Sequence, residues 1–209
     1  AWERRAGECT LRVAIPFVAA FLTVPDAIMR AMFARGAFSK ADAAAAGATL
    51  AAYAIGLIPF VLIRSAVATF YARKDTATPV KAALSGVAVN VALKVALVGS
   101  LAQIGLALAT AVGAWINLLL VVMFAVRRGF LEFDRAFMIA LGKFSAAGAI
   151  LAGALWGAFR WTSVALANQV SLRDETILGV LIVVGSVVYG GSILLMFGRP
   201  WLRELVKPN

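Results

Sequence analysis

The chain has no histidine, a single cysteine and few carboxylates, 10 Asp and Glu against 20 Lys and Arg in 209 residues. Without histidine there is no imidazole base, and the usual zinc ligand sets cannot be assembled. A lone Cys9 excludes a disulfide within the chain and reads as a passive thiol near the first helix. No Walker A glycine loop, no serine elbow and no acidic pair inside an apolar run is present. An ATP-driven pump or a membrane enzyme therefore gains no support, and no cofactor or metal is expected. The first residues, AWERRAGE, are polar and show no signal-peptide pattern. The chain opens on Ala1 rather than Met and is read as a fragment or a processed piece.

What it has in abundance is apolar length. It is 63% hydrophobic and 14% charged, where soluble domains sit near 45–50% and about 25%. Runs of this length, apolar all round, point to lipid as the solvent. In lipid every backbone group must be satisfied internally, so spans are helices or barrel strands. Barrel strands alternate over about ten residues, and these runs are about twice as long. The fold class is therefore all-α, a polytopic transmembrane helical bundle of about six spans. They are placed near 11–33, 49–71, 78–98, 104–126, 137–159 and 177–197.

The net charge of +10 does not mark a nucleic-acid surface, because the cations fall between apolar runs. Arg4, Arg5, Arg12, Arg73, Lys74, Lys81, Arg127, Arg128, Arg135, Lys143, Arg199, Arg203 and Lys207 share one set of span ends. Only Arg30, Arg35, Lys40, Arg160 and Arg173 belong to the other. By the positive-inside rule both ends of the segment are cytoplasmic.

Along the chain, Pro16 and Pro25 kink the first span, and Asp26 and Arg30 are spaced to pair near its outer end. The segment FARGAFSKADA turns on Gly36. Ser39 and Asp42 fit a capping box, opening a short interfacial helix over 40–47. Tyr53, Gly56, Phe60, Arg64, Val67 and Tyr71 form one stripe on the second span, bent by Pro59. Arg64 lies two turns inside the membrane, where a central arginine costs about 2.5–3.5 kcal/mol. It either faces a cavity or partner or snorkels to headgroups. Thr78 is expected as N-cap of the third span, with Pro79 at its first position. Asn90 and Lys94 share a face with Gly86. Asn90 serves as interhelical glue or lines a pathway, and Lys94 snorkels outward or joins it. Asn117 belongs to a thin polar stripe on the fourth span. The last two spans hold small residues and no charged residue between Lys143 and Arg160 or between Glu175 and Arg199, and read as a packing or lipid-facing pair rather than a conduit. Between spans four and five, RRGFLEFDRAF reads as an amphipathic segment at lipid headgroups. Buried cations without catalytic chemistry suit the transport of something anionic.

These residues also resemble a family. Phe33-Ala34-Arg35-Gly36-Ala37-Phe38, Ala52-Tyr53-Ala54-Ile55-Gly56-Leu57, Phe70-Tyr71-Ala72-Arg73-Lys74-Asp75-Thr76-Ala77-Thr78-Pro79 and Gly105-Leu106-Ala107-Leu108-Ala109 with Asn117 occur in order. Together they resemble the MurJ/MviN lipid II flippases of bacteria, within the multidrug/oligosaccharidyl-lipid/polysaccharide exporter superfamily. The resemblance is good from about Leu11 to Arg128 and weak beyond. It implies alternating access that moves undecaprenyl-pyrophosphate-linked peptidoglycan precursor from the inner to the outer leaflet of the bacterial cytoplasmic membrane. It also implies that residues 1–130 are four helices ending the second transporter lobe, that 131–209 add two C-terminal spans and a tail, and that an N-terminal lobe is the missing partner. The family's main cavity arginines lie in that absent part. Arg64, Asn90, Lys94 and Asn117 are then the substrate-cavity candidates. Phe70, Tyr71, Arg73, Asp75, Thr78 and Pro79 match a cytoplasmic gate or turn motif, and Arg35, Gly36 and Phe38 a periplasmic turn. Partners would be lipid II or a similar polyprenyl-pyrophosphate-linked saccharide and membrane lipids, with no nucleic acid. The alternatives are an exporter of polysaccharide-linked lipids or drugs and a truncated, non-transporting membrane scaffold.

Overall fold

The chain forms helices at the places where apolar runs are bounded by caps and breakers. The computed structural model describes residues 2–34, 36–131, 135–167 and 172–197. Arg35, Glu132, Asp134, Arg199, Arg203, Glu204 and Lys207 lie outside them. Six helices follow in order: α1 (Trp2–Thr23), α2 (Pro25–Phe33), α3 (Lys40–Tyr71), α4 (Ala77–Arg127), α5 (Arg135–Ala165) and α6 (Arg173–Phe197).

The first predicted span is not a single kinked helix. α1 stops at Thr23, and α2 leaves it at 86°. Pro25 lacks the N–H that would continue α1 and has a backbone suited to a first turn, so it ends one helix and opens the next. The expected pairing of Asp26 with Arg30 does not form. Asp26 instead lies against Gly47 of α3, where an added methyl would meet its Oδ1.

α3 begins on the expected capping box. The Asp42 N–H donates to Ser39 Oγ at 3.1 Å, and the Ser39 N–H donates to Asp42 Oδ2 at 2.9 Å. The interfacial helix expected over 40–47 is not separate, because nothing after the cap breaks α3 before Tyr71.

α4 has 51 residues, about 76 Å at 1.5 Å per residue and far too long for one crossing of about 30 Å. It folds back on itself at Ala102, whose φ of 47° and ψ of −127° are non-helical. Across this hairpin, a methyl on Gly86 would come 2.8 Å from the Gly113 carbonyl oxygen and 2.9 Å from Asn117 Cβ, and one on Gly113 would come 2.8 Å from Asn90 Cβ. Residues 77–101 and 103–127 are thus two antiparallel arms whose backbones nearly touch. α3, α4, α5 and α6 are each long and apolar enough to cross a membrane, and the bent α1–α2 pair passes the same test together, as a broken span or a re-entrant loop. With α4 counted as two arms, the described residues make about six passes when the α1–α2 pair is taken as one.

The distribution of side-chain sizes fits a lipid solvent. Much of the interior is alanine, including Ala43, Ala107, Ala109 and Ala125, whereas Val95, Trp161 and Leu195 are among the large residues left exposed. Lipid supplies no hydrophobic force between helices, so small residues that allow close approach gather inside.

Three clusters organise the packing. Ala66, Phe70, Ala82, Leu118 and Val121 join α3 to both arms of α4. Leu11, Ile15, Phe144, Ala147 and Ile193 join α1, α5 and α6, with Ile58 and Leu62 of α3 against them. Ala19, Ala27, Leu151, Leu155 and Leu181 continue that contact to α2. The α5–α6 pair therefore packs chiefly on α1 and α2.

Candidate functional site

The densest polar arrangement forms where α3 and α4 end side by side. At the end of α3, Lys74 adopts φ of 58°. The Asp75 N–H donates to the Phe70 carbonyl at 3.1 Å and the Lys74 N–H to that of Tyr71 at 3.0 Å. This pair of bonds is a Schellman motif, with lysine in the left-handed position that glycine usually fills. The end of α4 repeats it. Gly129 has φ of 66°, the Phe130 N–H donates to the Ala125 carbonyl at 2.8 Å, and the Gly129 N–H donates to that of Val126 at 3.0 Å.

Each cap ends on a residue that reaches the other helix. Phe130 meets the buried ring of Phe70 edge-on, centroids 5.5 Å apart, and Arg73 lies over Phe130 at 4.5 Å while donating to the Thr69 carbonyl at 2.9 Å. Arg128 forms an ion pair with Asp75. Asp75 also accepts from the Thr78 hydroxyl at 2.7 Å and from the Thr78 N–H at 3.1 Å. The Thr78 bonds hold the Asp75 carboxyl below its ordinary value; burial opposes them less strongly, and Arg128 adds a lesser lowering.

The N-terminal expectation for α4 is corrected here. The helix starts at Ala77, before Thr78, because the Asp75 carboxylate supplies the cap. Thr78 and Pro79 are then buried in its first turn, where a missing N–H costs nothing. Phe130 likewise does not turn to headgroups as the amphipathic reading expected, since its ring is taken by Phe70 and Arg73. The sequence motif therefore comes together as a clamp of Phe70, Arg73, Asp75 and Thr78 with Arg128 and Phe130. Tyr71 stays exposed beside it.

The membrane-depth candidates are placed differently. Arg64 is exposed on α3, along with Tyr53, Phe60 and Tyr71 of its stripe. Gly56 of that stripe is buried against Ala111 of α4. Asn90 and Asn117 lie on opposite arms of the α4 hairpin, each packed on the other arm's glycine, with both Oδ1 atoms buried and without a hydrogen-bond partner among the described residues. Lys94 is half-buried one turn beyond Asn90. No hydrogen bond or ion pair joins Arg64 to Asn90, Lys94 or Asn117 among the described residues.

At the opposite end, Gly36 turns the chain with φ of 61°, and Phe38 stacks obliquely on Phe33 at 6.2 Å. Arg35 lies outside the described residues. The described residues contain no group of three or more His, Cys, Asp or Glu able to hold a metal ion. Arg128 and Phe130 were missed as partners of the turn motif. Their only signal was Gly129, a C-cap glycine beside Arg128, which lies 53 positions from Asp75.

A family model described as "Lipid II flippase MurJ" matches residues 4–174. A probable lipid II flippase MurJ of Rhizobium meliloti (strain 1021) is 36% identical over 205 residues, 94% of this chain and 38% of that protein. One from Rhizobium tropici is 32% identical over 188 residues, 90% of this chain and 35% of that protein. The chain thus spans little more than a third of the length of these relatives. A solved structure titled "Lipid II flippase MurJ, inward closed conformation" shares the fold, with a TM-score of 0.75 at 22% identity over 98% of this chain and 39% of that one. On the match that runs through most of its length, this chain belongs to the MurJ lipid II flippase family.

Proposed function

We propose that the chain is the C-terminal part of a lipid II flippase, carrying a polyprenyl-pyrophosphate-linked saccharide from the inner to the outer leaflet by alternating access, without covalent chemistry. The observation that carries this reading is Arg64. It is a guanidinium at membrane depth, exposed on a face shared with Tyr53, Phe60 and Tyr71 and lacking an ion-pair partner among the described residues. Guanidinium is matched in geometry to phosphate oxygens, and a cation in a low-dielectric cleft attracts anions strongly. An N-terminal lobe facing this side of α3 would complete the cavity. Residues 1–130 serve as the second-lobe helices and 131–209 as the two added spans and tail. Asn90, Lys94 and Asn117 belong to the cavity side, Phe70 to Pro79 form the cytoplasmic turn, and Arg35, Gly36 and Phe38 the periplasmic one. Both ends of the segment face the cytoplasm of a bacterial inner membrane.

The test is a chimera in which this chain replaces the matching segment of the Rhizobium meliloti relative, expressed in bacteria depleted of their own flippase. Growth is expected with Arg64, partial growth with Arg64→Lys, and loss of growth with Arg64→Ala at equal membrane level. Unimpaired growth of Arg64→Ala would remove this residue from the mechanism.

A further inference from the structure

Two prolines lie inside continuous helices among the described residues, away from their first turns, Pro16 in α1 and Pro59 in α3. A proline has no N–H, so the carbonyl four residues earlier loses its helical donor. Those carbonyls belong to Arg12 and Ile55. Both are satisfied from another helix by an aromatic side chain. The Tyr189 hydroxyl of α6 donates to the Arg12 carbonyl at 2.6 Å. The Trp115 indole N–H of α4 donates to the Ile55 carbonyl at 2.9 Å. The partners are 177 and 60 residues apart in sequence, so neither bond is a by-product of local geometry.

We infer that Tyr189 and Trp115 are positioning residues, interhelical latches on the two proline hinges, and that release of Trp115 lets the half of α3 bearing Arg64 swing. A proline leaves a helix free to bend, and a donor on the open carbonyl fixes how far. Each latch can break without unfolding either helix, because the remaining backbone bonds of α1 and α3 are internal. Arg64 lies little more than one turn past Pro59, so the bend there sets its direction. That last consequence rests on the transport reading; the latches do not.

The latch has a consequence that ordinary packing lacks. Proline-to-alanine substitution restores the N–H, which makes the aromatic donor redundant. In the whole 209-residue chain in phosphatidylethanolamine–phosphatidylglycerol nanodiscs, spin labels at positions 44 and 68, in a Cys9→Ser background, bracket Pro59. Trp115→Phe keeps a ring and loses the donor. It is expected to raise the population of a second label distance about threefold to tenfold, the range for one interhelical hydrogen bond. Pro59→Ala with Trp115→Phe is expected to return the single distance. An unchanged distribution in Trp115→Phe would overturn the proposal. So would a change that persists in the double variant, since Trp115 would then act by packing. Thermal unfolding gives a second measurement should that variant not fold. Tyr189→Phe is expected to lower the midpoint in the Pro16 chain and leave it unchanged beside Pro16→Ala, and equal losses in both would sink the latch at α1. Growth of the chimera reads out separately: coupling without growth leaves the latches standing and removes the flippase reading, and growth without coupling does the reverse.

Discussion

The two halves of the bundle are held together in different ways. Between the arms of α4, and between α4 and α3, backbones approach until no side chain fits, at Gly86 against Gly113 and Gly56 against Ala111. Between α1, α5 and α6, the space is filled by large side chains such as Leu11, Phe144 and Leu151. Within that contact Gly148 meets only a movable side-chain end, a would-be methyl lying 3.0 Å from Ile15 Cγ2, while Gly153 and Gly157 lie outside it on the exposed face of α5. The first contact tolerates no added volume, and the second tolerates no loss of it. In lipid both reduce to van der Waals contact, which falls away over a fraction of an ångström in one case and over a whole missing ring in the other.

The largest test of this contrast is Phe144→Ala. Phe144 is fully buried, so the variant should lose about 3–5 kcal/mol, as for other buried rings, read as a lowered unfolding midpoint in detergent. Next comes Gly86→Val, which forces two backbones apart and should cost about 1–3 kcal/mol, while Gly148→Ala, whose methyl meets only the Ile15 side chain, should cost less by the same assay. Equal losses at Gly86 and Gly148 would erase the distinction. Smaller again is the pair of helix caps. Gly129→Ala should cost about 1 kcal/mol, and Lys74→Gly should gain up to about 1 kcal/mol, because only one of the two left-handed positions already holds glycine.

The smallest effect is on pH. The Asp75 carboxyl is held below its ordinary value in the fold, so folding favours its ionised form. The clamp is intact above the unfolded value near 4 and weakens as pH falls through the lowered one. The Thr78 amide should exchange faster below that point, after correction for intrinsic rates, and Asp75→Asn should remove the dependence. A pH-independent Thr78 amide in the unaltered chain would show that Asp75 does not hold the turn.

Helix number and class were legible because ~20-residue apolar runs admit little else in lipid. The α4 turn was legible as a gap near residues 98–104. What was not legible depends on angle and distance. Pro25 announces a break but not 86°, and Lys74 hides a C-cap that glycine would have declared. The bonds from Trp115 and Tyr189 join residues no local pattern relates. At the site, Arg64 stood out by charge at depth, which is a property of sequence. The clamp did not, because Asp75 and Arg128 meet only once both helix ends are capped.

The turn at Ala102 also bears on how the chain enters the bilayer. Asn90 and Lys94 make the first arm of α4 costly to leave alone in hydrocarbon, whereas its partner arm covers Asn90 through Gly113. With no polar loop between them to wait outside, the two arms are cheapest to insert together. During synthesis the first arm would therefore be held beside the translocation machinery until the second has emerged, so that biogenesis proceeds by hairpin rather than by single helix.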